Sequence, residues 1–372
     1  MSIARRAVVL LVCVFWAAMP ASAHKPSDSY LNIDTQGDQV EGRWDIALRD
    51  LEYALGLDGN ADGAITWGEL KSRRAVVFAY ALGRLSLARG ATCTTRAGGL
   101  QVTDHTDGAY AALDFSADCP DQGASLTVGY RLLFDIDPSH RGLLRLDSSA
   151  GTHTAVFSPA RARQTFDLGS VNAVQAFLQY LVQGIHHIWI GADHVLFVLT
   201  LLLPAVLVRE SGRWLARTSV RSAVVEVTRL VTAFTVAHSI TLALAVLGFV
   251  DLPSRLVEST IALSVVVLAL NNLVPIMPQG RWLLVFGFGL IHGFGFASVL
   301  GDLGLPAGAL AVSLVGFNVG VEIGQLAIVA VVLPVALLLR GTTFYRLAIL
   351  GLGSAAVAVV AAYWFVTRAF GY

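Results

Sequence analysis

The sequence predicts a membrane α-helical bundle of six transmembrane helices, preceded by a β-rich exported domain with an EF-hand-like loop. Three observations carry that reading. Of 372 residues, 55% are hydrophobic and only 14% charged, with a mean hydropathy of +0.65; a soluble domain holds about 25% charged residues. The apolar residues are also unevenly placed, with six long runs after residue 171 and a polar, Gly/Asp/Thr-rich stretch from 24 to about 163. Within that polar stretch, residues 58–69 form a dense Asp/Asn/Gly segment. The formal net charge is zero and there is no basic tract, so nucleic acid is not an expected partner. Walker, dinucleotide-fingerprint, G-x-S-x-G and C-x-x-C patterns are absent, which leaves most nucleotide and haem chemistry unsupported.

At the start, Arg5 and Arg6 precede an apolar run at 7–19, then Pro20 and Ala21-Ser22-Ala23. A positive start, a short apolar run and an A-x-A site make residues 1–23 an expected, removed signal peptide. The run is shorter than the roughly 20 residues that span a bilayer. Cleavage there leaves His24 first, read as a polar terminus rather than a copper chelate completed by His105, His140 or His153. Cys13 leaves with the signal, and Cys93 and Cys119 are then expected to pair in an oxidising compartment.

Residues 24–170 are expected to form a periplasmic β-rich domain, a sandwich with one helical insertion. Alternation at 125–130 and 142–146 marks strands, whereas 70–87 is helical in composition. Residues 58–69 satisfy D-x-[DN]-x-[DN]-G-x5-E at every defined position. Asp58, Asn60 and Asp62 supply side-chain oxygens in that pattern, Ala64 its carbonyl, Thr66 the position often served through water, and Glu69 a bidentate carboxylate. Gly63 permits the sharp turn, and 49–57 and 69–87 are the flanking helices. With one such loop and no paired hand, the expectation is a structural Ca2+ site.

Residues 171–372 are expected to form the bundle, with apolar segments near 184–208, 223–250, 257–276, 281–301, 309–339 and 344–367. Loop charge orients them. With the first half exported, the cytoplasmic loops hold Arg209, Arg213, Arg217 and Arg221, then Arg281, then Arg340 and Arg346, against Arg255 alone outside. The lipid bilayer is thus a partner, both mature ends are external, and a bacterial inner membrane is the expected location.

Ionisable groups are costly inside a bilayer, so each is a candidate for function. The first segment carries His186, His187, Asp193 and His194; the second His238; the fourth His292; the fifth Asn318 and Glu322. Counted from the outer ends at 1.5 Å per residue, His194, His292 and Asn318 lie about 13 Å deep, and His238 and Glu322 about 18–20 Å. Polar groups from four segments therefore share one layer. Imidazole with carboxylate suits a divalent transition metal such as nickel or zinc. On a straight helix His187 and His194 are about 10.5 Å apart along the axis. That separation suggests two stations, His186 and His187 outside and His194 with His238, His292 and Glu322 deeper. Asp193 is expected to orient a neighbouring histidine. Gly289 and Gly293 read as a close-packing surface that brings His292 near its neighbours.

These residues resemble the HupE/UreJ family of hydrogenase- and urease-linked membrane proteins, in its exported-domain form. The resemblance rests on His186-His187-x5-Asp193-His194, Phe234-x3-His238-Ser239, Leu290-Ile291-His292-Gly293-Phe294 and Phe317-Asn318-x3-Glu322, and on the exported start at 24–30. It implies permeation of nickel or a related divalent metal across the inner membrane. The shorter nickel-permease members have proline where His187 stands, and a second histidine soon after the fourth-segment His-Gly, where Gly295 and Phe296 stand here. A metal permease is therefore the leading expectation. The alternatives are a membrane-embedded metal-dependent hydrolase, or a metal-linked assembly or sensor protein with a periplasmic protein partner.

Overall fold

The computed structural model describes residues 27–35, 40–105, 107–210, 213–250, 252–274, 280–297, 301 and 303–370. The expected signal peptide at 1–23 and His24 lie outside the described residues. Two compact units are present, one of Lys25–Tyr180 with Ser298–Leu314, the other containing Leu181–Ala297 and Val315–Tyr372.

The first unit is β-rich. Its elements are β1 (Asp28–Asp34), β2 (Val40–Ala47), α1 (Leu48–Leu55), α2 (Trp67–Ser72), α3 (Arg74–Leu82), β3 (Leu85–Arg89), β4 (Ala91–Thr92), β5 (Thr94–His105), β6 (Gly108–Asp118), β7 (Ser125–Tyr130), β8 (Arg141–Ser148), β9 (Gly151–Phe157) and β10 (Arg163–Asp167). One sheet runs β5-β6-β2-β1-β8-β9 and the other β10-β7-β3-β4. Within the first, β1 is antiparallel to β2 and parallel to β8. Leu31, Trp44, Leu113 and Leu144 of one sheet and Leu87, Leu126, Val128 and Phe166 of the other are buried in a single core. Period-2 alternation supplies both inner faces, and the two sheets close on each other because each has only one apolar face.

The helical insertion α1–α3 is shorter than the composition suggests. The helical reading of 70–87 is corrected here: helix ends at Leu82, and Leu85 and Leu87 belong to β3. Alternation decides the matter, since Leu85 and Leu87 pair with Tyr130 and Val128 while pointing into the core. The Cys93–Cys119 disulfide is formed and joins the start of β5 to the end of β6.

The second unit is helical. Its helices are α4 (Ala173–Ile190, which begins in the first unit), α5 (Ala192–Leu202), α6 (Val220–Val246), α7 (Ser254–Leu273), α8 (Arg281–His292), α9 (Ala307–Leu339, also shared) and α10 (Gly353–Phe370), with a short hairpin of β11 (Leu207–Glu210) and β12 (Arg213–Ala216). Among the described residues, Val220–Val246, Ser254–Leu273, Ala307–Leu339 and Tyr345–Phe370 are each long and apolar enough to cross a membrane. Val225, Val236 and Ile240 of α6 and Val359 and Tyr363 of α10 are exposed. Outward-facing apolar rows of this kind suit lipid and not water.

Two of the six expected segments differ from a simple span. The first is broken: 173–190 and 192–206 meet at a 72° bend. The fourth is a 12-residue helix continued by one 3-10 turn to Phe296. Its glycines set how closely it packs. A Cβ on Gly289 would stand 2.6 Å from the Phe234 carbonyl oxygen, and one on Gly293 2.1 Å from Thr241 Oγ1 and 2.3 Å from the His238 carbonyl oxygen. Backbone therefore meets backbone along α6 and α8. Gly184 and Gly320 do the same for α4 and α9.

Candidate metal centre

The break at Gly191 governs the polar interior. Gly191 has an extended backbone (ψ 95°), and α5 starts immediately after it with Asp193 in its first turn. A Cβ on Gly191 would lie 2.7 Å from His194 Nδ1 and 2.8 Å from the His187 carbonyl oxygen, so the bend needs glycine there. It turns the chain by 72° and sets the His187 and His194 rings 4.5 Å apart, centroid to centroid. The straight-helix separation of about 10.5 Å, and the two stations built on it, are corrected by this bend. His186, on the other side of α4, is exposed.

Two more helices complete the group. His292, at the end of α8, has its ring 5.2 Å from that of His194. His238, in α6, lies 6.4 Å from His187. The surroundings are aromatic: Phe197 and Phe234 flank His292 at 4.8 and 5.1 Å, while Phe296 and Phe317 flank His187 at 5.0 and 5.3 Å.

Hydrogen bonds fix the free nitrogens. His194 Nδ1 is 3.1 Å from Asp193 Oδ1; an ionised carboxylate only accepts, so Nδ1 carries the proton and Nε2 keeps its lone pair. Ser264 donates its hydroxyl to the Ile261 carbonyl oxygen at 2.6 Å and therefore accepts from His292 Nε2 at 3.0 Å. That leaves the lone pair of His292 on Nδ1. Five buried ring nitrogens have no partner among the described residues: His187 Nε2, His194 Nε2, both nitrogens of His238, and His292 Nδ1. A buried polar group left unpaired costs about 1–3 kcal/mol, so a concentration of them demands a reason. Among the described residues, however, no three His, Cys, Asp or Glu side chains already stand so as to hold a metal ion. The rings are gathered without being closed on a common centre.

The other expected residues are distributed as follows. Asn318 follows Phe317, whose ring touches His187. Glu322, further along α9, is half-buried and makes no hydrogen bond or ion pair with another described residue. Asn272, a polar residue of α7 outside that expected set, is buried and donates to the Thr200 carbonyl oxygen at 2.9 Å and to Ser354 Oγ at 3.3 Å, so it ties helices together. Two side chains escaped sequence reasoning. Ser264 looks like any small residue of an apolar helix, and Arg368, beyond the last expected segment, pairs with Asp193 at 3.3 Å.

In the β-rich unit the loop at 58–69 is bounded by α1 and α2. Gly56 (φ 62°) terminates α1 in the left-handed region, and Gly63 (φ 82°) makes the central turn. Asp58 Oδ2 accepts from Gly63 N at 2.9 Å, Asn60 Oδ1 from Asp62 N at 3.0 Å and Asp62 Oδ1 from Ala64 N at 2.9 Å. Glu69 accepts from Thr66 N and Gly59 N and caps α2 with Thr66. The backbone and hydroxyl donors of Thr66, then Gly59, hold the Glu69 carboxyl below its ordinary range. Asp58 Oδ1 is buried with no partner among the described residues.

His140 is the one histidine of the first unit that is both fully buried and fully bonded. Ser27 donates to Asp50 at 2.7 Å and accepts from His140 Nδ1 at 2.5 Å; Tyr130 donates to His140 Nε2 at 2.6 Å, and Ser29, which Trp44 bonds, lies 2.6 Å from Tyr130. With both nitrogens used, His140 has no lone pair for a metal.

Bundled apolar helices around a histidine-lined interior, joined to a β-rich unit, define a multi-pass membrane protein. The family model described as HupE / UreJ protein matches residues 162–368, and the chain belongs to the HupE/UreJ family. No curated protein matches it.

Proposed function

We propose that this is an inner-membrane permease for a divalent transition metal, nickel foremost and zinc next, with His187, His194, His238 and His292 as the binding set. The family is linked to nickel or cobalt transport or to accessory roles, which supports metal as cargo. The observation that carries the reading is that four helices gather histidine rings with buried nitrogens that have no partner among the described residues. An imidazole bound at about 2.0–2.1 Å puts its centroid about 3.2 Å from the metal, so tetrahedral neighbours stand about 5 Å apart. The observed 4.5, 5.2 and 6.4 Å, for three of the six ring pairs, bracket that value; closing the set on one ion requires the rings to reorient. Neutral imidazoles select nickel, cobalt and zinc over magnesium and calcium.

In this reading the broken first segment and the short fourth segment each complete one crossing, giving six. The signal peptide and the loop arginines put the β-rich unit and the C-terminus in the periplasm. Broken helices are tolerated at membrane depth where they line a protein-enclosed site. The loop at 58–69 holds structural calcium through Asp58, Asn60, Asp62, Ala64, Thr66 and Glu69; its all-oxygen donor set and the unpartnered Asp58 Oδ1 support this.

The test of transport is nickel entry into liposomes containing a metal-quenched dye. Protein-dependent quenching, abolished by His292→Ala, is the expected result. Quenching no faster than in protein-free liposomes, with nickel still bound at one per chain, would remove transport and favour a membrane metallohydrolase or sensor.

A further inference from the structure

Beside the four imidazoles stands a charged pair for which metal binding alone gives no reason. Arg368 Nη1 lies 3.3 Å from Asp193 Oδ2 and 3.3 Å from the Glu258 carbonyl oxygen, with both charged side chains largely covered, at 14% and 16% exposure. Arg255 donates to the Ala369 carbonyl oxygen at 2.9 Å, so the end of α10 is clipped to the start of α7 at Arg368 and at Ala369. The other Asp193 oxygen accepts from His194 Nδ1 and from the His194 backbone N–H at 3.0 Å. Both carboxylate oxygens are therefore engaged on the side away from His194 Nε2.

Removing Arg368 would leave a nearly buried carboxylate, adjacent in sequence to a ligand, with its Oδ2 stripped of its partner. Such a group turns to the nearest cation, here the bound metal. A carboxylate oxygen in the coordination sphere improves the site for oxygen-preferring ions such as Mn2+. A histidine ligand whose other nitrogen donates to a carboxylate is, by contrast, fixed in tautomer and orientation.

We propose that Arg368 is the positioning residue of the centre: by holding Asp193 it keeps His194 Nε2 directed inward and keeps the carboxylate off the metal, so that only imidazole nitrogens bind. This rests on the reading above that the four imidazoles share a divalent cation. Arg368 thus acts on selectivity without touching the metal.

The experiment is calorimetric binding of Ni2+ and of Mn2+ to the detergent-purified full chain. Arg368→Met is expected to weaken nickel at least tenfold, the scale seen when an outer hydrogen-bond partner of a metal ligand is lost, and to narrow the nickel-over-manganese preference. Arg368→Lys keeps the cation and restores most of both. Asp193→Asn still accepts from Nδ1 but has no charge to offer the metal, so nickel weakens about tenfold with no gain in manganese. That split between the two ions does not arise from a general loss of fold. Arg368→Met binding both ions as the unaltered chain does would overturn the proposal. Should that variant not be recovered, Asp193→Asn with unchanged nickel affinity overturns it equally. Failure of the unaltered chain itself to bind nickel overturns the four-imidazole reading first and the role of Arg368 with it, which separates the two failures.

Discussion

The two units bury histidine in opposite ways. In the β-rich unit His140 is 0% exposed and bonds through both nitrogens, to Ser27 and Tyr130, within a chain running from Asp50 to Trp44. In the helical unit His238 is equally buried, yet among the described residues neither of its nitrogens has a partner, and His187, His194 and His292 each keep one unpaired. The cost of an unpaired buried group is similar in either place. A satisfied network needs nothing further and holds strands together. On the proposed reading a metal ion completes the unsatisfied one, and the difference separates a structural histidine from a binding one.

The largest effect that sharpens this contrast comes from acid. Burial, the main cause, pushes the His140 imidazole down to about 3 from 6.5. Below pH 6.5 the unfolded chain takes up a proton that the folded unit refuses, so stability falls as the pH drops from about 6.5 towards 3. The full loss is roughly 5 kcal/mol. Urea unfolding followed at pH 7, 5.5 and 4.5 should display this slope, and His140→Gln should flatten it even while lowering stability at pH 7. An equal slope in the variant would assign the acid sensitivity elsewhere.

Opening the disulfide is next. Cys93 and Cys119 are 26 residues apart, so Cys93→Ser with Cys119→Ser should cost about 3 kcal/mol in the β-rich unit. Thermal unfolding reads that loss, while nickel binding by the helical unit should stay unchanged; coupled loss of both would break the separation drawn here. Gly293→Ala then attacks the other unit alone. Its Cβ would stand 2.3 Å from the His238 carbonyl oxygen, prising α8 from α6 and separating His292 from His238. Nickel affinity should fall about a hundredfold, or roughly 2.7 kcal/mol, with the Tm of the β-rich unit untouched. The smallest effect is calcium: at ten times Kd it should stabilise the β-rich unit by about 1.4 kcal/mol. A calcium-dependent rise in Tm that disappears in Asp58→Ala is the outcome to look for.

Much of this architecture is legible in the sequence because its causes are local. Apolar length marks Val220–Val246, Ser254–Leu273 and Ala307–Leu339, alternation marks β7 and β8, and the two cysteines of the β-rich stretch can pair with each other in only one way. The site is less legible because a single glycine decides it. Read as continuous helix, the first segment keeps His187 a turn and more from His194; the break at Gly191 brings their rings to 4.5 Å. A helix-start signal was nonetheless there, with Asp193 in the first turn after a glycine. Arg368 carried no such mark, since an arginine at the end of an apolar helix reads as an interfacial anchor until Asp193 is seen beside it. Ser264 became informative only through the tautomer it imposes on His292.

The most direct test of the central claim is the nickel content, by plasma mass spectrometry, of the full chain purified in detergent after nickel loading, in an Asp58→Ala background. Four single changes, His187→Ala, His194→Ala, His238→Ala and His292→Ala, stand against His186→Ala and His140→Ala. One nickel per chain, lost in each of the first four and retained in the last two, is the predicted pattern. A nickel-free unaltered chain, or a metal lost with His186 and kept without His238 or His292, would contradict it.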